Sequence, residues 1–273
     1  MTGGLTSAVH RLTVERGDSA RLFVVLRQYE HAAPHFMQLV EREAGILRGV
    51  GAAGVAAPAL IAYSPAGEDA GGRPSLLMSR LPGHLYLTPA DRDDWLGQMA
   101  AVAAAIHDAP VAASAFERWL DPAQLTVPAT AGRPELWRAA IEVLQSPPEQ
   151  RSSCFIHRDF QHFNLLWARG RLTGVVDWSF ASAGPPEIDV GHCRLNLAVL
   201  FSADWAERFR LAYESETGRS TDPWWDLHAL ASYEDAWRQF IPLQAGGRVP
   251  VDTGGMTGRV EDLLESSLRR LCG

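Results

Sequence analysis

The spacing of apolar residues divides the chain into a short strand-rich part and a longer helical one. RLFVVLRQY is a β-branched run that predicts a strand ending at Arg27, and residues 59–63 and 75–78 are two further strand candidates around a loop rich in Gly and Pro. Between them, residues 34–50 set Phe36, Leu39, Val40 and Leu47 at three- and four-residue steps, which predicts a helix with one apolar stripe. A second helix is predicted from Thr88, with Thr88 as N-cap, Pro89 in the first turn and Asp91 completing a capping-box-like pattern. Trp95, Met99, Val102 and Ile106 line one face of it, and His107 ends it. Residues 110–134 form an irregular connection rich in Pro and Ala, before a helix at 135–144. Leu165-Leu166-Trp167 and the run 172–176, joined at Arg169-Gly170-Arg171, predict a hairpin. Helices at 187–200, 203–217 and 224–240, a Gly-rich break at 245–258 and a last helix ending near Leu271 complete the pattern.

At 273 residues and 47% hydrophobic content the chain can bury a sizeable core, as one domain or as two lobes. Its formal charge of −7 argues against general affinity for nucleic acid or anionic membranes and suits a cationic ligand. No apolar run approaches the ~18 residues of a membrane span, and MTGGLTSAVHRL lacks the apolar stretch of a signal peptide. Cys154, Cys193 and Cys272 are far apart and form no zinc pattern, so a reducing, cytoplasmic setting is expected. All 25 basic residues are arginines.

Candidate chemistry concentrates in CFIHRDFQHFNLLWARGRLTGVVDWSFASA. A loop leaving a strand at Asp159 and returning at Asn164 would bring a carboxylate and an amide oxygen together, and the second hairpin strand would deliver Asp177 beside them. Hard oxygens of this kind suit Mg²⁺, which takes its remaining ligands from water and substrate phosphates. In phosphoryl transfer one Asp accepts the attacking hydroxyl's proton while an Asn and a second Asp hold the metal. Asp159 fits the first role, Asn164 and Asp177 the second, and His157 braces the loop. Glu43 falls on the apolar stripe of the 34–50 helix, where a carboxylate is costly unless paired. Arg27 is its natural partner, in the strand–helix ion pair that positions phosphates in kinases.

HRDFQHFNLLW followed by VVDWSFA resembles the catalytic and metal loops of the aminoglycoside phosphotransferase family, whose pattern is HGDxxxxN followed by an IDW-type motif. That family shares the protein-kinase-like fold with choline kinases and homoserine kinase-like enzymes. GPPEIDVGHCRLNLA is also similar, and the family's Asp at the position of Asp189 helps anchor the catalytic loop. His162 and Phe163 depart from the pattern, standing where Pro-Gly is usual. The resemblance implies an α+β, two-lobed protein-kinase-like fold, with a small antiparallel-sheet, nucleotide-binding lobe at 1–79 and a mainly helical catalytic and substrate-binding lobe at 80–273. It implies catalysis at Asp159 with His157, metal at Asn164 and Asp177, and transfer of the γ-phosphoryl group of ATP or GTP to a hydroxyl of an aminoglycoside-type antibiotic or related metabolite.

The same resemblance assigns further contacts. TGGLTSAVHRLTV resembles a glycine-containing phosphate loop running into a strand, with Gly3, Gly4 and Ser7 near phosphate. The family's first strand would precede it, so either the small lobe lacks an edge strand or upstream residues are missing. LLMSRLPG resembles the connection between lobes, where backbone groups from Ser79 to Leu81 meet adenine. A Lys or Arg on the family's third strand meets the α and β phosphates, the position of Arg27. The helices after the metal loop shape the family's acceptor pocket, and there aromatic residues stand near acids that include Glu234 and Asp235, a combination suited to a cationic, hydroxylated ligand.

Three other assignments compete. His157 and Asp159 form the HxD part of a two-His-one-carboxylate iron site if His192 or His228 completes it, which leaves Asn164 and Asp177 without a purpose. A catalytically idle nucleotide-binding protein accounts for Arg27 in place of Lys and for His162-Phe163, but not for the retained Asp, Asn and Asp. A choline-, homoserine- or sugar-type metabolite kinase fits the same motifs.

Overall fold

A computed structural model describes residues 7–15, 21–118, 120–148, 153–234 and 236–272, so Gly3, Gly4 and Asp235 lie outside the described residues. In chain order the first elements are β1 (Ala8–Glu15), β2 (Arg21–Gln28), α1 (Pro34–Ala52), β3 (Leu60–Ser64), β4 (Ser75–Ser79), α2 (Arg92–His107) and α3 (Pro134–Leu144). They are followed by β5 (Cys154–Ile156), β6 (Leu165–Ala168), β7 (Arg171–Val175), β8 (Ser182–Gly184), α4 (Glu187–Leu200), α5 (Ala203–Thr217), α6 (Pro223–Leu230), α7 (Trp237–Ala245) and α8 (Met256–Cys272). The class is α+β, with a small antiparallel sheet and a larger helical part, as predicted. These elements pack into two compact units: Met1–Leu85 with Ala109–Ala113 and Leu165–Ala181, and Tyr86–Asp108 with Ser114–Asn164 and Ser182–Gly273.

The first unit is built on a four-stranded antiparallel sheet of order β1-β2-β4-β3. Register sets Arg27 opposite Val9 on one side and Leu76 on the other, in the middle of the sheet. Helix α1 opens with Pro34 in its first turn, where a missing N–H costs nothing, and its buried face carries Val40, Glu43, Ala44, Leu47 and Val50. Phe36 and Leu39 of the expected stripe are only half-buried. β6 and β7 form the predicted hairpin, and its two turn residues take positive φ, 52° at Arg169 and 72° at Gly170, the backbone that matches strand twist in a tight turn. Gly83 shows where only glycine fits. At φ 108° a Cβ there would stand 2.8 Å from the Trp167 carbonyl oxygen, while the next residue, His84, exchanges both backbone hydrogen bonds with Trp167 at 3.0 and 2.9 Å.

The second unit is helical, with β5 and β8 paired antiparallel at its side. Helix α4 lies at its centre, buried along nearly its whole length and packed on α5, α6 and α8; Asp189, Arg194 and Asn196 are among its buried residues, so it carries paired polar groups inside the core. Three boundaries differ from expectation. Asp91, not Thr88, caps α2: its carboxylate accepts the N–H groups of Asp93 and Asp94 at 3.0 Å, so the helix starts three residues later. The single helix expected at 224–240 is two, because the chain leaves α6 to bury Tyr233 and bring its hydroxyl within 3.1 Å of Thr257 Oγ1 on α8. The Gly-rich break is shorter than expected, with Gly258 inside α8 rather than before it.

His162 belongs to this unit's core. Its ring is fully buried against Phe163, Phe201 and Trp95, at centroid distances of 4.2, 5.7 and 6.2 Å, and neither ring nitrogen has a hydrogen-bond partner among the described residues. Burial, with a smaller contribution from the charge of His192, pushes its pKa down to about 3. The unfolded chain therefore takes up a proton near pH 6.5 that the folded chain refuses, and stability is lost as pH falls from there toward 3. Replacing both unpaired nitrogens with carbon, His162→Phe, is expected to raise stability in urea unfolding. The margin over wild type should widen by about 1.4 kcal/mol per pH unit between pH 6.5 and 4. Parallel stability profiles for the two proteins would show that His162 does not carry this proton.

Candidate active site

In the sheet unit, one guanidinium gathers four polar side chains. Arg27 Nη1 donates to both oxygens of Glu43 at 3.1 and 3.0 Å and to Ser179 Oγ at 2.9 Å; Nη2 donates to Asp177 Oδ2 at 2.9 Å, and Nε to Ser7 Oγ at 3.0 Å. Ser179 in turn donates to Asp177 Oδ1 at 2.8 Å. Arg27 and Glu43 are buried, whereas the Asp177 side chain keeps 29% of its exposure, so only the Asp177 end of the cluster meets solvent. Burial alone would lower the Arg27 pKa, but the charges of Asp177 and Glu43 hold it well above its ordinary value; burial likewise pushes the Glu43 carboxyl up while Arg27 pulls it back. The backbone supports the same grouping. Arg42, one residue before Glu43 on α1, donates to the carbonyls of Phe180 and Ala181 at 3.2 and 2.9 Å, and Asp177 takes φ 68°, a left-handed conformation that Asp tolerates better than most residues.

In the helical unit, Asp159 and Asn164 stand together on the loop after β5. Asn164 Nδ2 donates to Asp159 Oδ2 at 2.9 Å and to the Asp159 carbonyl at 2.8 Å, while Gln161 Nε2 and His192 Nε2 meet Asp159 Oδ1 at 2.7 and 2.9 Å. Both carboxylate oxygens are thus held in place, and 26% of the side chain remains exposed. Asp189, on α4 and fully buried, accepts the backbone N–H groups of His157 and Arg158 at 2.7 and 2.6 Å. Its Oδ2 also lies 3.1 Å from His107 Nε2, whose other nitrogen meets the Tyr213 hydroxyl at 2.8 Å. Burial by itself would raise the Asp189 pKa; the His107 ring and the His157 N–H outweigh it and leave the carboxyl below its usual range. Arg158 is left at φ 70°, at the position where HGDxxxxN has glycine, and its guanidinium lies 4.3 Å over the Phe116 ring and donates to the Glu117 carbonyl. His157 itself is fully buried with its ring edge-on to Phe160, so it is positioned to brace the loop.

The remaining expected residues fall into place as follows. Ser79 N–H and Oγ are both spent on Ala59, at 2.8 Å each, whereas the Leu81 N–H carries no bond among the described residues. Glu234 is exposed in the turn between α6 and α7 and lines a cavity of about 780 Å³ in the helical unit. Among the described residues, no three His, Cys, Asp or Glu side chains group as metal ligands, so the two-His-one-carboxylate arrangement is not formed. His192 does reach Asp159, but His157 is turned into the core. Mg²⁺ asks for less, since an amide and a carboxylate oxygen suffice when phosphates and water supply the rest. Asn164 spends its amide nitrogen on Asp159, which leaves its oxygen available, and Asp177 presents a partly exposed carboxylate; both donors fit that ion. Sequence reasoning passed over Ser179 and did not connect His192 to Asp159. Ser179 lies two residues after Asp177, and His192 one helical turn after Asp189, which are the signals that would have found them.

The family model described as "Phosphotransferase enzyme family" matches residues 4–228. No curated protein matches the chain. Among solved structures, a candidate aminoglycoside phosphotransferase of Ralstonia eutropha JMP134 is 18% identical, covers 97% of this chain and 93% of its own, and superposes with a TM-score of 0.60. Macrolide 2'-phosphotransferase of Brachybacterium faecium is 17% identical, over 95% of this chain and 93% of its own, with a TM-score of 0.56. A thermostable variant of aminoglycoside phosphotransferase APH(4)-Ia, in ternary complex with AMP-PNP and hygromycin B, is 18% identical over 97% and 96%, with a TM-score of 0.59. At these identities the likeness is one of fold, the protein-kinase-like fold of phosphotransferases.

The Arg27 cluster generates a direct test. Arg27→Met leaves Glu43, 1% exposed, without its counter-charge and should cost about 3–5 kcal/mol in urea unfolding. Arg27→Lys keeps the charge but not the planar fork that reaches four partners, and should cost less than the Met variant. A loss below about 0.5 kcal/mol for Arg27→Met would mean that the pair is not held as described.

Proposed function

The chain belongs to the phosphotransferase enzyme family and is a small-molecule kinase, and from that premise we propose that it moves the γ-phosphoryl group of ATP to a hydroxyl of a small molecule of the antibiotic or metabolite kind. The observation that carries this most is the fixed carboxylate of Asp159, oriented by Asn164, Gln161 and His192 and exposed at one side. Neighbouring phosphotransferases with AMP-PNP and hygromycin B, or with ADP, support a nucleotide as donor and a hydroxylated acceptor.

In the proposed step the acceptor hydroxyl gives its proton to an Asp159 oxygen as its own oxygen bonds the γ-phosphorus; the bond from that phosphorus to the β,γ-bridging oxygen breaks, and ADP leaves with the electron pair. Asp159 later returns the proton to solvent. Arg27 is assigned to the α and β phosphates, which would take over the N–H groups that Asp177 and Ser179 accept in the free chain while Glu43 and Ser7 keep holding its guanidinium, and the free Leu81 N–H is assigned to the adenine edge. Asn164 and Asp177 are assigned to Mg²⁺, which when bound neutralises phosphate charge. Asp189 and His157 support the loop and take no part in proton movement.

The test is Mg-dependent transfer of labelled γ-phosphate from ATP, and in parallel from GTP, to a panel of aminoglycosides, macrolides, choline, homoserine and sugars. Asp159→Asn should lower turnover by about 10²–10⁴-fold with little change in ATP affinity, because the amide keeps the shape and loses the base. Wild-type turnover in that variant would remove Asp159 from the mechanism.

A further inference from the structure

The cavity in the helical unit is a half-open cleft of about 780 Å³, a size that accommodates a drug-sized molecule. His192 lines it and also lies 2.9 Å from Asp159 Oδ1, which links the cavity to the proposed base. Its wall is mixed: Phe116, Leu125, Val127, Pro128 and Ile188 give it an apolar side, and neutral polar groups such as Gln124, Thr126 and Ser232 interrupt it. Glu234 is the only carboxylate among the described lining residues, and it sits in an exposed turn. The guanidinium of Arg158 also lines the cavity, and it is buried.

His228 reports the same electrostatic balance. Its Nε2 is buried without a hydrogen-bond partner among the described residues, and burial together with the positive charges of Arg118 and Arg158 pushes its pKa down to about 4, so the ring is neutral at physiological pH. A neutral imidazole offers one hydrogen bond to a hydroxyl or carbonyl and no charge to an amine. An acceptor with several protonated amines would bring them to a wall with one carboxylate and nearby arginines, and an ammonium desolvated without a counter-charge is strongly disfavoured. The overall charge of −7 is therefore not repeated in this wall.

We propose that this cavity is the acceptor site and selects a hydroxylated molecule with an extended apolar face and at most one amine, which meets Glu234, while a hydroxyl or carbonyl of the ligand bonds His228. The proposal rests on the phosphotransferase assignment above for its chemistry, and on the cavity alone for its selectivity.

Binding and transfer are to be measured separately on the full chain. Calorimetry in Mg-AMP-PNP would compare erythromycin, which has one amine, an uncharged alkyl glucoside below its micellar concentration, and kanamycin, which has four amines. At least one of the first two should bind about 10-fold or more tightly than kanamycin. His228→Phe should weaken that ligand about 3–10-fold, the worth of one neutral hydrogen bond. Thr126→Glu, on the exposed rim, should narrow the gap by favouring kanamycin. Tighter binding of kanamycin to the wild-type chain, or no binding of either low-charge ligand at millimolar concentration, overturns the proposal. The two assignments fail differently: binding of the low-charge ligand with no label transfer from Mg-ATP would leave the cavity assignment standing and remove the phosphotransfer step, whereas efficient transfer to kanamycin in preference to both others would do the reverse.

Discussion

One buried carboxylate sets the geometry of the loop that carries Asp159 and Asn164. Asp189 has no exposed surface, and a charge so placed is costly unless both of its oxygens are paired by hydrogen bonds. Two consecutive backbone N–H groups, at His157 and Arg158, and the His107 ring supply that pairing. Accepting both amides forces the chain to turn sharply at Arg158, and the left-handed φ of 70° there costs roughly 1–2 kcal/mol for a residue with a side chain. Charge-assisted hydrogen bonds contribute roughly 1.5–3 kcal/mol each, so the clamp outweighs the strain. The turn directs Asp159 out of the core, where Asn164, Gln161 and His192 can hold it.

The sheet unit solves a related problem with one arginine. A lysine has three donors on a single nitrogen, whereas the five N–H groups of Arg27 serve Glu43, Asp177, Ser179 and Ser7 together. In a chain without lysine, the planar fork thereby ties a strand, a helix and the segment after the hairpin into one charged group whose single outlet is the Asp177 carboxylate.

Much of this was legible because it leaves local marks. Glu43 interrupts an apolar stripe, which singled out both the residue and its partner Arg27; the hairpin announced itself through Arg169-Gly170 between two apolar runs. Helices α4 and α5 begin and end at the expected residues because apolar periodicity, Gly218 and the Ser202 cap mark their ends. Other features depend on contacts distant in sequence. The break between α6 and α7 exists because Tyr233 finds Thr257, and no local breaker marks it. His192 looks like any polar residue on a helix until the loop carrying Asp159 is folded against it, and the weakly acidic wall of the cavity is assembled from separate stretches between Phe116 and Ala236, so whole-chain charge gave no view of it.

The dependence of the Asp159 loop on Asp189 is tested most directly by Asp189→Asn, which keeps the side chain's shape, removes its charge and turns one acceptor into a donor. With the variant folded and nucleotide affinity unchanged, the clamp predicts that the His157 and Arg158 amides lose their slow hydrogen exchange and that turnover falls by about 10–100-fold, as when a supporting partner of a site is lost. Wild-type turnover with both amides still protected would contradict it.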